Sequence, residues 1–184
     1  MKKIKIIIAV ALLFTVNANA QITKGNWMVG GTLNLSSAES TSISNDIEYK
    51  TKGSGFSVNP NLGYFIADKF CIGTSVGFYF SNPEGDNNNS TGITVGPFAR
   101  YYFLNTEKTV NIFANVGYGY SSSKTENGYK SHSIGYLFSA GPVIYFNSSV
   151  GLEMSLNYRT SKNNLDSKYS QLFLGVAFQI HLKK

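Results

Sequence analysis

The chain has 184 residues, and its single cysteine and two well-separated histidines exclude an intramolecular disulfide and give no C-x-x-C or H-E-x-x-H site, so neither a metal nor a cofactor is expected. Sixteen lysines and arginines against ten acids give a formal charge of +6, but three of those lysines lie within the first five residues; without them the balance is thirteen against ten, or +3, and nucleic-acid binding loses its main support. Beyond the first twenty residues no stretch approaches the roughly 18 apolar residues that a transmembrane helix needs.

The first element is a leader. Lys2, Lys3 and Lys5 precede an apolar run over residues 6–16 that ends in Ala18-Asn19-Ala20, the order of a secretory signal peptide with a small-x-small cleavage site. Residues 1–20 are therefore expected to be removed, with Gln21 opening the mature chain and residues 21–184 forming one domain.

From there the sequence alternates with period two, the mark of strands with two unlike faces. One face of the first strand carries Trp27, Val29, Gly31, Leu33 and Leu35; the second carries Phe56, Val58, Pro60, Leu62, Tyr64 and Ile66. The third continues with Phe70, Ile72, Thr74, Val76, Phe78 and Phe80, and the fourth with Ile93, Val95, Pro97, Ala99, Tyr101 and Phe103. Val110, Ile112, Ala114, Val116, Tyr118 and Tyr120 mark the fifth, and Ile134, Tyr136, Phe138, Ala140, Pro142, Ile144 and Phe146 the sixth. Val150, Leu152, Met154, Leu156 and Tyr158 give the seventh; Leu172, Leu174, Val176, Phe178, Ile180 and Leu182 give the eighth.

The opposite faces are small and uncharged, as in Ser57, Asn59, Asn61 and Gly63 or Asn111, Asn115, Gly117 and Gly119. A soluble sandwich or lipocalin-like barrel, the alternative, would carry Lys, Glu and Arg on its water-facing side. An apolar, uncharged outside around a confined polar inside predicts instead an all-β fold, an eight-stranded antiparallel up-and-down transmembrane β-barrel. Connections support it: short ones at 67–69, 104–108 and 147–148 alternate with longer polar ones at 36–52, 82–90, 122–130 and 160–168. Outer-membrane barrels show that alternation, with short periplasmic turns and longer external loops, which would put both termini in the periplasm. Tyr64, Phe65, Phe70, Tyr101, Tyr102, Phe103, Tyr145 and Phe146 near the short turns, and Phe78, Phe80, Tyr118, Tyr120, Tyr136 and Tyr158 toward the loops, read as two interfacial girdles. Pro60, Pro97 and Pro142 each stand about four residues before an aromatic pair; a proline lacks a ladder donor, so three in register suggest bulges or a bend.

Gly63-Tyr-Phe65 before a short turn and Phe70-Cys-Ile-Gly73, Gly96-Pro-Phe-Ala-Arg-Tyr-Tyr102, and the terminal Leu174-Gly-Val-Ala-Phe-Gln-Ile180 carry a resemblance that spans the mature chain. It resembles the small OmpA/OmpX-like outer-membrane β-barrel family, the porin-like barrel domains of Gram-negative bacteria. The spacing of Gly175, Phe178 and Ile180 is similar to the assembly signal read by the outer-membrane insertion machinery. The resemblance implies surroundings of outer-membrane lipid, delivery by periplasmic chaperones, and charge pairs that plug the lumen. In this chain Arg100 and Glu153 face inward at comparable distances from short turns, and a buried charge must be paired or wet, so the two are expected to meet across the interior, either as a static plug or as a gate on a narrow path.

Other candidates are weaker. Arg159 should lie near the outer rim in water. A lipid-facing His132 between Ser131 and Ser133 is similar to the outer-membrane lipid A deacylases, which use Ser, His and a carboxylate, but Ile134 fills the next outward position where the serine would be wanted and no carboxylate is placed to orient it. His181 reads as a solvated terminal residue and Cys71 as a small lumenal filler. The polar loops over 36–52 and 86–90 are suited to binding an extracellular ligand or to shielding the barrel. The leading expectation is a structural or interaction protein without enzymatic chemistry; a narrow porin-like channel and a lipid A-modifying enzyme follow it.

Overall fold

A computed structural model describes residues 22–44, 47–84, 89–164 and 168–183. The leader 1–20 lies outside them, as do Asp86 and its neighbours in the third connection. Eight antiparallel strands form one closed barrel in chain order: β1 Trp27–Ser44, β2 Ile47–Ala67, β3 Phe70–Glu84, β4 Ser90–Tyr102, β5 Val110–Thr125, β6 Lys130–Tyr145, β7 Val150–Asn163 and β8 Lys168–Leu182. Closure comes from β1 pairing with β8, from Trp27 opposite Leu182 to Leu33 opposite Val176. Closing the sheet leaves no unpaired edge in the apolar zone, which a bilayer requires because lipid offers no hydrogen-bond partner.

The two faces divide as the alternation predicts. Leu33, Leu62, Ile72, Phe78, Val95, Val116, Phe138 and Leu156 all stand out from the wall, and Leu174 is 80% exposed. Apolar side chains exposed around the full circumference exceed any patch that a water-soluble sandwich tolerates and match a lipid-facing band.

Strand lengths differ from the sequence expectation. Residues 36–52, read as a loop, are almost entirely strand: Ser36 pairs with Gly55, Glu39 with Lys52, and the ladder runs to Ser44 opposite Ile47. The β5–β6 and β7–β8 hairpins likewise continue to Lys124 opposite Lys130 and Lys162 opposite Lys168. The sequence of these extensions is mostly polar, so hydrophobic periodicity carries no signal there although the backbone ladder persists.

The prolines interrupt the ladder without shifting it. Pro60 pairs with Gly31 of β1, yet between β2 and β3 the pairing passes from Val58–Phe78 directly to Asn61–Ser75 in the same register. Pro97 and Pro142 repeat the pattern toward β5 and β7. A missing N–H thus costs pairing on one side only, and no bulge forms; the one register shift in these ladders falls at Phe65/Ala67, beside the first short turn.

Each short turn is pinned by a short polar side chain. Asn147 Oδ1 accepts from the amides of Ser149 and Val150, each at 2.8 Å, and Val150, expected on the outer face, is buried. Asn111 Oδ1 accepts from Leu104 N at 2.9 Å and Ile112 N at 2.8 Å. Asp68 Oδ1 accepts from Lys24 N at 2.8 Å, while Lys69 takes a left-handed φ of 65°. The Asn147–Ser149 bond has the Asx-turn spacing, whereas Asn111 and Asp68 tie their turns to backbone farther along the chain.

Candidate functional site

Arg100 on β4 and Glu153 on β7 both point inward, and the lumen is narrow enough for them to touch. Arg100 Nη1 lies 2.6 Å from Glu153 Oε1, with the two side chains 9% and 2% exposed. Buried charges are tolerable only when the remaining donors and acceptors are also engaged. Both carboxylate oxygens and two of the three guanidinium nitrogens are engaged here: Gln179 Nε2 donates to Glu153 Oε2 at 3.3 Å, Tyr102 Oη donates to Glu153 Oε1 at 3.4 Å, and Arg100 Nε donates to Asn115 Oδ1 at 3.4 Å. The guanidinium also lies over the Phe113 ring, 4.6 Å from its centroid, a cation–π contact that replaces lost hydration.

Toward the short-turn end, the interior is closed by rings. Phe65, Tyr102 and Tyr145 are fully buried and belong to one apolar cluster with Met28, Cys71, Phe98, Phe113 and Val143. The expectation that these three aromatics join the lipid girdle is therefore corrected: in each of the pairs Tyr64-Phe65, Tyr101-Tyr102 and Tyr145-Phe146, adjacent residues face opposite sides of the sheet, so one ring points to lipid and the other into the lumen. His181 is corrected too. It is wholly buried, with ring centroids of Phe65 at 5.6 Å, Tyr102 at 6.0 Å and Tyr145 at 5.6 Å. Its β8 parity, shared with Gly175, Ala177 and Gln179, places it inside. The segment before β1 completes the floor: Ile22 is fully buried in the same cluster, and its carbonyl accepts from Lys69 N at 2.8 Å.

Above the ion pair lies a cup of about 440 Å³, lined by Asn34, Asn59, Asn61, Asn115, Asn157 and by serines and threonines from all around the barrel, with Arg159 and Phe173 higher up. The Arg159 guanidinium sits 5.4 Å from the Phe173 centroid. The lumen is thus a polar cup on a charged and aromatic floor.

The sequence matches the family described as "Outer membrane protein beta-barrel domain" over residues 6–179. The chain belongs to this family. Its fold is shared with Neisserial surface protein A (TM-score 0.62, 16% identity, covering 88% of this chain and 98% of that one). It is shared as well with OprG from Pseudomonas aeruginosa (TM-score 0.55, 13% identity, 90% and 100% covered) and the N-terminal barrel domain of OprF from the same organism (TM-score 0.55, 13% identity, 86% and 98% covered). No curated protein matches the sequence. As an outer-membrane β-barrel, the protein has its exposed apolar band in lipid.

The remaining candidates of this outer-membrane barrel separate by face. Gly175 faces the lumen beside Asn157 and Ser155, where a Cβ would crowd both; Phe178 and Ile180 face lipid. His132 stacks on Tyr120 at the loop end, rings 5.9 Å apart and 15° from parallel, with Nδ1 3.0 Å from Tyr120 Oη. Among the described residues no cluster of three metal-ligating side chains occurs.

Proposed function

We propose that this outer-membrane barrel acts as a structural or interaction protein whose lumen is held shut, rather than as a transport pore or an enzyme. The observation that carries this reading is the floor: an ion pair at 2.6 Å, further bonded by Gln179, Tyr102 and Asn115 and backed by a ring cluster, leaves the ring end without open space for a hydrated solute. The short-turn end lies in the periplasm and the long hairpins project from the cell, presenting polar surface to an extracellular ligand. Cleavage after Ala20 leaves Ile22 close to the new terminus, where it fills the floor. Gly175, Phe178 and Ile180 on the last strand serve as the signal for the insertion machinery, to which periplasmic chaperones deliver the chain.

The second reading, a narrow channel, draws on the cup, which runs from the upper lumen down to the Arg100–Glu153 pair and makes that pair the gate. Liposome swelling separates the two. Vesicles holding the refolded barrel should swell no faster in small sugars or amino acids than protein-free vesicles; swelling that accelerates in Glu153→Ala and is already present in the wild type would establish the channel. Orientation is read separately, by labelling single cysteines placed at Asn127 or Asp68 in intact cells, in a Cys71→Ser background. Only the Asn127 site should react from outside.

A further inference from the structure

We propose that the outward face of the β5–β8 hairpins, just above the aromatic belt, docks the phosphate-bearing headgroup of an outer-leaflet lipid. The proposal rests on the reading that the long hairpins face the cell exterior. Along β5 the lipid-facing parity runs through Tyr118 and Tyr120 to Lys124, and along β6 through Tyr136, Ile134 and His132 to Lys130. Lys124 stands directly opposite Lys130. On the neighbouring hairpin Lys162 stands directly opposite Lys168, and Lys162 also pairs with Ile134 of β6.

The cross-strand Lys124–Lys130 pair is unfavourable in isolation, because side chains directly opposite in an antiparallel ladder are about 5 Å apart at Cβ and like charges there repel. A sheet that merely needed solubility would alternate the signs. Among the described residues no carboxylate forms an ion pair with Lys124 or Lys130; the acid nearest in sequence, Glu126, instead accepts a hydrogen bond from Asn89 Nδ2 at 3.1 Å. The Lys124–Lys130 pair becomes favourable once an anion sits between its ammonium groups, and Lys168 and Lys162 on the neighbouring hairpin add positive charge beside it.

Position selects the anion. The lysines lie on the lipid-contacting face just beyond the belt: Phe138 and Leu156 lie in the apolar band, the Tyr118–Tyr136 ring pair at 5.4 Å and the Tyr120–His132 stack lie above it, and the lysines follow, one small polar residue on (Ser122, Thr160, Ser170) on β5, β7 and β8. Tyrosine belts mark headgroup depth in a bilayer. A ligand whose acyl chains lie on the band therefore presents its headgroup at the height of the ammonium groups, which lysines reach on flexible apolar stems. A phosphorylated glycolipid meets both demands; a free phosphate meets only one.

The test uses the full mature chain folded in a maltoside detergent, which carries no phosphate and has no sidedness, so the result does not depend on orientation and fails independently of the labelling experiment. Phosphorylated lipid A, the same lipid A with its phosphates removed, and inorganic phosphate are added in separate arms, and lipid retained with the protein on gel filtration is measured together with the temperature at which the folded gel band is lost. Phosphorylated lipid A should be retained and should raise that temperature, whereas the other two should do neither. Replacing all four lysines by glutamine should lower retention by about a hundredfold or more, since each lysine beside an anionic lipid surface is worth about fivefold. The four-arginine variant should keep it and shows that folding tolerates change at these sites. Equal retention of the dephosphorylated lipid, equal stabilisation by inorganic phosphate, or undiminished binding by the folded glutamine variant would each overturn the proposal.

Discussion

Gln179 occupies the space that a side chain on Gly30 would need. A Cβ built on Gly30 overlaps Gln179 Oε1, and the same glutamine donates through Nε2 to Glu153 Oε2 at 3.3 Å. The absence of a side chain on β1 is thus tied, across the β1–β8 seam where Gly30 pairs with Gln179, to the satisfaction of a buried carboxylate on β7.

Gly30→Ala should therefore displace Gln179, press on the Phe178 carbonyl oxygen 2.5 Å from the added Cβ, and leave Glu153 short of one donor. Overpacking of this kind costs about 1 to 3 kcal/mol. Urea unfolding of the lipid-inserted barrel, followed by gel mobility, should show the loss, and Gln179→Ala on top of Gly30→Ala should add much less than it does alone.

The charge pair gives a sharper test. Removing either Arg100 or Glu153 strands the partner in a poorly solvated interior, at about 3 to 5 kcal/mol if no water enters. The doubly reversed barrel, Arg100→Glu with Glu153→Arg, should recover part of that in the same urea titration. Strictly additive losses would mean that the two side chains act independently.

The lipid face was legible from alternation because lipid and lumen demand opposite chemistry at every second residue. The meeting of Arg100 with Glu153 was legible for a related reason: inward parity and similar distance from short turns fix both height and direction. Tyr102, Phe65 and Tyr145 were not, since an aromatic suits both an interfacial girdle and a plug, and only the parity of each pair decides which ring goes inside. His181 near the end of β8 has polar chemistry that suggests water, yet its inward parity outweighs its closeness to the terminus. The hairpin extensions past Ser36 and Ser122 are invisible to hydrophobic pattern because their sequences are mostly polar.

Face assignment can be probed by arginine. Val116→Arg places a charge on the lipid band, which costs about 2 to 4 kcal/mol near the midplane. Ser139→Arg, on the neighbouring strand but lining the cup, should fold into vesicles with near wild-type yield. Equal damage from both would place the two faces wrongly.

The leader makes a separate prediction. Protein recovered from the outer-membrane fraction should begin at Gln21 by N-terminal mass analysis and should migrate differently on gels before and after boiling. Ile22→Asp, which puts a charge into the floor cluster, should leave cleavage unchanged but lower the temperature of that mobility shift.

Single-channel recording in planar bilayers addresses the closed lumen most directly. Wild-type barrel should give no sustained conductance, and Glu153→Ala, which loosens the floor, should give only brief openings. Stable, salt-dependent steps from the wild type, with an ion selectivity that changes when Arg100 is neutralised, would contradict the plug and establish a pore.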